Sequence, residues 1–289
     1  MKKFKRFAPL VLWIIIFCAL AYIPVTDMLL SVDVANIRQN MIDSSGTEAE
    51  KEMFLKQATA FNRKMGHLPY DDPEGGILPY EEQLRWQDKP YMAYVRIPKA
   101  HVSMPIYYST SGDVQYGIAH TYGTSLPVGG GHSCCVLEGY DGIKTTSMFN
   151  DIKVLDEGDV VCVYTLGDEY FYKVVSTTIV SPPEVANMSV ITGKEDKLLL
   201  VAGSSDFDFF KTADVSSQRY VVTLERCEYS GTDFEEVSPI IDSILSPRSR
   251  MYVIGMIVVL VWIILWIVFR RKSEFILMWA LDGVDDTGL

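Results

Sequence analysis

The sequence has few cysteines and histidines, which are the usual ligands of zinc and, for cysteine, the residues that build a disulfide framework. It contains five cysteines and four histidines in 289 residues, and no cysteines form a CxxC pair or a spacing suited to zinc. Cys18 lies in an apolar run near the N-terminus, and Cys134 and Cys135 lie in a strand-like stretch that is typical of buried thiols. Gly129-Gly130-Gly131 is followed by neither Lys-Ser nor Lys-Thr, which argues against a phosphate loop. We expect no metal and no cofactor.

Basic residues are also in deficit. The chain has 26 Lys and Arg against 37 Asp and Glu, a net charge of −11. Seven of the basic and four of the acidic residues flank or follow two apolar runs, so the remainder holds 19 basic and 33 acidic residues, a net charge of −14. This charge argues against nucleic acid as a partner. A solvated acidic surface is the simplest interpretation of it.

The two apolar runs predict membrane helices. Residues 9–25 follow a basic N-terminus, and residues 251–269 precede Arg270, Arg271 and Lys272. Each run is about long enough to cross a hydrocarbon core of ~30 Å. The basic flanks predict a protein of the cell membrane with both termini in the cytoplasm and an extracellular part between the runs. Ala19-Leu20-Ala21 also resembles a signal-peptide cleavage site, so cleavage is the alternative for the first run.

Between the runs the pattern changes twice. Residues 32–66 have few helix breakers and predict a helix or helix pair, either packed on the domain or forming a solvated stalk. Residues 68–89 are rich in proline and glycine and predict a long loop, which is typical of a functional cover or a linker. The predicted organisation is a membrane or signal-anchor segment (1–25), a helical segment with a lid-like loop (26–90), a β domain (91–229), a linker (230–250), a membrane helix (251–269) and a tail (270–289).

The central part of the chain alternates apolar and polar residues and predicts β-strands. Seven or eight short strands with short helical pieces, such as Thr145 to Ile152, predict a mainly β fold that closes into a barrel. The strand candidates are Met92–Pro98, Val102–Tyr107, Cys134–Leu137, Asp159–Thr165, Tyr170–Val180, Leu198–Ala202 and Tyr220–Glu225. The polar loop from Gly203 to Ser217, between the last two candidates, is the best candidate for a reactive residue, since strand ends hold side chains rigidly.

Several motifs of this region resemble, in the same order, those of the sortases, and most of all class C, the pilin polymerases of Gram-positive bacteria. They are Tyr94–Lys99, Met104–Tyr107, Gly117–His120 and Gly123–Gly130, and the resemblance runs from about Met92 to Leu224. It implies an eight-stranded sortase-type β-barrel with short helices, an N-terminal helical segment and two transmembrane helices. It also implies a cysteine transpeptidase of the cell-wall machinery, which cuts an LPxTG-like sorting signal and transfers the acyl group to an amine, often a pilin lysine. Asp72-Pro73 resembles the class C lid motif, and a plain turn is the alternative.

The catalytic positions implied by the resemblance are altered in this chain. Tyr140 stands where the family has its catalytic His, and Gly203 stands where it has its nucleophilic Cys, with Ser204 as a weak substitute. A glycine has no nucleophile, and a tyrosine hydroxyl with a pKa of ~10 is a poor base at neutral pH. Arg219 matches the catalytic Arg, whose guanidinium can hold a peptide carbonyl or form an ordinary ion pair.

We therefore interpret the chain as a degenerate sortase. As a pseudoenzyme it would bind a sorting-signal peptide, a pilin or another surface protein during pilus assembly, with active sortases of the same cell as further partners. The alternative is an active transpeptidase with a displaced nucleophile, either Ser204 or a cysteine outside the membrane. A structural membrane protein whose cleft has filled in is the third interpretation.

Overall fold

The computed structural model describes residues 2–43, 47–85, 89–109, 111, 117–141, 149, 151–204, 218–231 and 247–285. The chain forms two compact units. One consists of Met1–Thr26 and Arg248–Leu289, and the other of Asp27–Pro247. The loop 205–217, most of the linker predicted for 230–250 and most of the helical piece predicted for Thr145 to Ile152 lie outside the described residues.

The first unit contains the apolar parts of two helices. Helix α1 spans Lys2–Asp43 and helix α4 spans Pro247–Asp285. Within these helices, Pro9–Met41 and Ser249–Lys272 are long and apolar enough to cross a membrane. The rings of Trp13 and Trp262 stack with their centroids 6.2 Å apart. Both helices extend beyond the C-terminal ends of the predicted apolar runs. Residues 26–43 and 270–285 contain no proline, and Gly283 is their one glycine, so little in the sequence ends either helix.

In the second unit, helix α2 (Glu48–Met65) packs on the β domain and is not a solvated stalk. It begins with a capping box, in which Thr47 and Glu50 bond each other's backbone N–H groups. Ala58 is part of the hydrophobic core, and Leu55 and Phe61 pack against it. Asn62 is buried as well, and its amide bonds the backbone of Leu126 and Gly129. These contacts fix the helix to the loop that precedes the fourth strand.

Eight strands form one closed barrel, which confirms the predicted fold. Going round the barrel, the order is β1-β2-β3-β4-β7-β8-β6-β5. The pairs β2/β3 and β4/β7 are parallel, and the other pairs are antiparallel. The strands are β1 (Tyr91–Ile97), β2 (Val102–Tyr108), β3 (Ile118–His120), β4 (Ser133–Asp141), β5 (Val160–Thr165), β6 (Asp168–Val180), β7 (Asp196–Ser204) and β8 (Arg219–Arg226). The sequence pattern did not predict β3, which has only three residues.

Strands β4, β7 and β8 are apolar on both faces. Their inward residues, such as Leu137, Leu200 and Val222, belong to the main core inside the barrel. The alternate residues form a second cluster, which includes Val136, Val201 and Val221 and is covered by helix α3 (Pro182–Met188). Strands covered on both faces carry near-continuous apolar runs. The uninterrupted run in β7 therefore follows from the helix that lies outside it.

Candidate functional site

The structure brings the three predicted catalytic positions into one row across three neighbouring strands. Tyr140 in β4 pairs with Gly203 in β7, and Gly203 pairs with Arg219 in β8. Ser204 is paired with Asp141, one step further along the same strands. Neighbouring strands lie ~4.8 Å apart. The backbones of all three positions therefore meet at one edge of the barrel, although the residues are far apart in the sequence.

A pocket of about 320 Å³ adjoins this row on the outer face of the barrel. Its floor is formed by strands β4 and β7, and its walls by helix α3 on one side and by residues 121–124 on the other. Arg219 is at its end, half-buried, with Nη1 3.3 Å from the carbonyl oxygen of Gln218. The lining residues are Thr121, Tyr122, Gly123, Thr124, Val136, Glu138, Pro182, Val185, Ala186, Ser189, Val201 and Arg219. The pocket therefore offers an apolar floor beside a permanent positive charge.

Two polar features of this pocket were missed in the sequence. Glu138 is exposed on the floor, where it accepts a hydrogen bond of 3.0 Å from the hydroxyl of Thr121. Tyr122 is 65% exposed, and its ring packs edge-on against Tyr80 with centroids 5.0 Å apart. The sequence does contain a signal for Glu138, since a single carboxylate in an otherwise apolar strand indicates a position that is open to solvent or to a ligand. Helix α3 was missed too, although Ser181 and Glu184 form a capping box that marks its start.

One histidine, which contacts Tyr80 of the lid-like segment, is structural. His120 is completely buried, and its Nε2 lies 2.8 Å from the carbonyl oxygen of Ser125. Because a carbonyl only accepts, Nε2 carries the proton and Nδ1 is an acceptor. The Tyr80 hydroxyl lies 2.9 Å from both Nδ1 and the backbone carbonyl oxygen of His120, and its one hydrogen is shared between these two acceptors. Burial lowers the pKa of His120 to about 4. The side chain is therefore a neutral, fully bonded part of the core.

His132 lies far from Tyr140 along the same part of the chain. It immediately precedes β4 and stands eight residues before Tyr140. At ~3.3 Å per residue, this separation is roughly 25 Å along the strand. His132 is therefore far from the row formed by Tyr140, Gly203 and Arg219.

The cysteines outside the apolar helices are not activated. Cys134, Cys135 and Cys162 are buried free thiols, as predicted for the first two. Burial raises the pKa of Cys134 to about 11 and that of Cys162 to about 12, and it raises the pKa of Cys135 well above its ordinary value. Burial also raises the pKa of the partly exposed Cys227. Thiolates are nucleophiles and thiols are not, and none of the four lines the described pocket.

The lid-like segment is fastened to helix α2. Asp72 is exposed and Pro73 is buried, and the Pro73 carbonyl accepts from the N–H of Gly76 at 2.8 Å. The Gln57 side chain then bonds the Gly76 carbonyl and the Leu78 N–H, at 3.2 and 3.0 Å. A covering role for Asp72 and Pro73 stays a prediction.

The described residues contain no group of three or more His, Cys, Asp and Glu that could hold a metal ion. The row and its pocket offer hydrogen bonding, apolar contact and the charges of Arg219 and Glu138. These are the interactions that hold a peptide by its backbone and side chains.

Comparison with known proteins gives a consistent result. A family model described as the sortase domain matches residues 95–227. Sortase C-1 from Actinomyces oris is 30% identical, with 63% of this chain and 100% of that chain covered and a TM-score of 0.50. Sortase C1 from Streptococcus agalactiae is 25% identical, with 66% of this chain and 98% of that chain covered and a TM-score of 0.56. Sortase C from Streptococcus pneumoniae, at 24% identity, shares the fold over 68% of this chain and 98% of that chain, with a TM-score of 0.57. No curated protein matches the chain.

Proposed function

This chain belongs to the sortase family, and we propose that it is a membrane-anchored, class C-like pseudo-sortase that binds sorting signals without cleaving them. The observation that carries the proposal is the row formed by Tyr140, Gly203 and Arg219. Two of its three positions lack the chemistry of the family, and the third retains it. The bound peptide is the sorting signal of a pilin or another surface protein.

The residues of the row support the proposed loss of acyl transfer. Covalent catalysis needs an activated nucleophile with an acid or base within hydrogen-bond reach. Gly203 offers no side chain, and the described cysteines outside the apolar helices have raised pKa values. The strand partner of Ser204 is Asp141 and not a histidine. A serine hydroxyl without a strong base beside it is a weak nucleophile.

The pocket supports the proposed retention of peptide binding. Its apolar floor suits a short extended peptide with small or branched side chains, and Arg219 at its end supports a peptide carbonyl through a charged fork of donors. Removing a nucleophile from such a site leaves these contacts intact. The protein therefore keeps peptide binding although it has lost peptide cleavage.

The two apolar helices support an anchored protein whose barrel lies outside the cell. Their basic flanks favour cytoplasmic termini. In that arrangement the helical segment and lid-like loop of residues 26–90 join the anchor to the barrel, and the pocket faces the compartment where surface proteins are assembled. Active sortases of the same cell are further partners. The protein would either pass a bound sorting signal on to them or withhold it from them.

The test is binding and turnover of an LPxTG-type peptide by the full-length protein in detergent. We expect the wild type to bind the peptide without cleaving it. The Arg219→Ala variant should bind about tenfold more weakly, because a charge-assisted hydrogen bond is lost. Lys173→Ala removes a positive charge from an exposed position of β6 and is the matched control, with unchanged binding.

A second arm restores the chemistry. The double variant Gly203→Cys, Tyr140→His should gain cleavage if the row still has the geometry of an active sortase. Cleavage by the wild type would overturn the proposal and establish the active alternative. The Ser204→Ala variant and thiol labelling would then show whether the nucleophile is Ser204 or a cysteine. Absence of all peptide binding would favour a structural membrane protein.

A further inference from the structure

The floor of the pocket carries an acidic residue whose carboxylate forms no ion pair within the part of the chain that the structure describes. Glu138 lies among Val136, Val201 and Val185, and its carboxylate accepts one hydrogen bond, from the neutral Thr121 hydroxyl at 3.0 Å. No lysine, arginine or histidine of the described residues forms an ion pair with it. A lysine or arginine side chain suits a carboxylate on an apolar surface, because its methylene groups pack on the apolar residues while its charged group pairs with the carboxylate.

An exposed aromatic ring borders the same pocket. Tyr122 is 65% exposed, yet it is held in place, because its N–H donates to Ser109 Oγ at 3.2 Å and its ring packs on Tyr80. The face of a tyrosine ring attracts an ammonium or guanidinium group. A carboxylate and a fixed aromatic ring in one pocket form a recognisable site for a basic side chain.

We propose that the pocket selects a peptide that carries a lysine or arginine, with the cationic group held by the Glu138 carboxylate and the Tyr122 ring. The proposal rests on the proposed function, since Arg219 holds the backbone of the same peptide. It adds the substrate class, which is a signal with a basic residue at one defined position.

The register of the strands gives that position. Glu138 pairs with Val201, which pairs with Val221. Glu138 and Arg219 are therefore two strands apart across the sheet and two residues apart along it. With strand spacings of ~4.8 Å and rises of ~3.3 Å per residue, their Cα atoms are roughly 12 Å apart. An extended peptide covers that distance in three or four residues, so the basic residue lies three or four residues from the carbonyl at Arg219.

The experiment moves a single lysine along an LPxTG-type peptide that has no other charged side chain. Binding to the full-length protein in detergent is measured by fluorescence anisotropy, and each lysine peptide is compared with one that has norleucine at the same position. One position, three or four residues from the Thr–Gly bond, should bind about five- to tenfold more tightly with lysine. The preference should weaken as salt is raised.

The variants separate this contact from a general effect of charge. Glu138→Gln keeps the shape and the bond to Thr121, and it should remove the lysine preference while leaving the norleucine peptides unchanged. Glu138→Lys should instead favour a glutamate at that position. Glu157→Gln removes a carboxylate from an exposed turn and is the matched control that keeps the preference. Tyr122→Phe should keep most of the lysine preference, because it keeps the aromatic ring, whereas Tyr122→Ala should reduce the lysine preference several-fold.

The outcomes distinguish the two proposals. If lysine and norleucine peptides bind equally at every position, the cation site is wrong and the pseudo-sortase proposal stands. If Glu138→Gln weakens the lysine and norleucine peptides to the same extent, Glu138 supports the pocket and the cation site is again refuted. If no peptide binds, both proposals fail.

Discussion

Lowering the pH from 7.5 to 5 is expected to destabilise the β-barrel by about 2 kcal/mol through one residue, His120. The ring is completely buried, with both nitrogen atoms bonded, to Tyr80 and to the carbonyl of Ser125. Burial disfavours the imidazolium form and lowers the pKa of His120 from 6.5 to about 4. A proton therefore binds the unfolded chain much more readily than the folded protein.

The direction of the effect follows from these two pKa values. Above pH 6.5 the ring is neutral in both states, and His120 adds no pH dependence. Between pH 6.5 and about 4 the unfolded state holds a proton that the native state lacks, so stability falls as the pH falls. The slope approaches ~1.4 kcal/mol per pH unit. Below about pH 4 the native ring is protonated as well, and this contribution levels off.

The assay is urea unfolding of the Asp27–Pro247 unit between pH 7.5 and 5. This range lies above the ordinary pKa of 4.5 for Glu50 and Glu184. The capping hydrogen bonds lower the pKa of both carboxyls, so the stability that they contribute is present above pH 4.5 and is lost only as the pH falls further. These two carboxyls therefore add little to the slope in the chosen range.

Two variants isolate the contribution of the buried ring. Replacement of His120 by glutamine should cost roughly 1–3 kcal/mol at pH 7.5, because buried hydrogen bonds are lost, and should remove most of the slope. The exposed His67, which has a φ of 54°, is the control, and His67→Asn should keep the slope.

One result would refute this reasoning. If His120→Gln and the wild type lose stability in parallel between pH 7.5 and 5, the pH dependence does not come from the buried ring. An NMR titration of the His120 ring in the folded protein gives an independent check, since the signal should not shift until the pH is well below the ordinary pKa of 6.5.

Two further predictions concern packing around the site. Asn62→Ala should destabilise the Asp27–Pro247 unit by about 2–4 kcal/mol in urea unfolding, because three buried hydrogen bonds are lost and the N–H of Leu126 is left without its partner. A loss below about 1 kcal/mol would contradict this role for the asparagine. Gly139→Ala should cost about 1–3 kcal/mol, because the new Cβ would lie 2.5 Å from Cγ of Phe149. The cost should shrink in a Phe149→Ala background, and equal costs in both backgrounds would show that the clash is not the cause.

The strands were predictable where alternation or an apolar run extends over several residues. Strands β1 and β7 are of this kind, and their predicted positions agree with the structure to within a few residues. Strand β3 was not predictable by pattern, because three residues cannot display a period. It exists through its pairing with β2 on one side and β4 on the other, which is a property of the assembled barrel.

The site was predictable only in part. The resemblance to sortases placed Tyr140, Gly203 and Arg219 at equivalent positions, and the strand register brings those positions together. The pocket beside them was not predictable in this way. Glu138 becomes part of it only because helix α3 covers one portion of the sheet and leaves the next portion open. That division depends on tertiary packing, which no local pattern contains.

The parallel pairing of β4 with β7 has a consequence for how the protein folds. The nine pairs of this ladder, from Ser133 with Asp196 to Asp141 with Ser204, join residues that are 63 positions apart in the chain. Such pairing must first meet the entropic cost of closing a long loop, and folds dominated by non-local pairs are slow to form. Partly folded chains therefore lack the site altogether. Under the proposed function, peptide binding would therefore report that the barrel has closed.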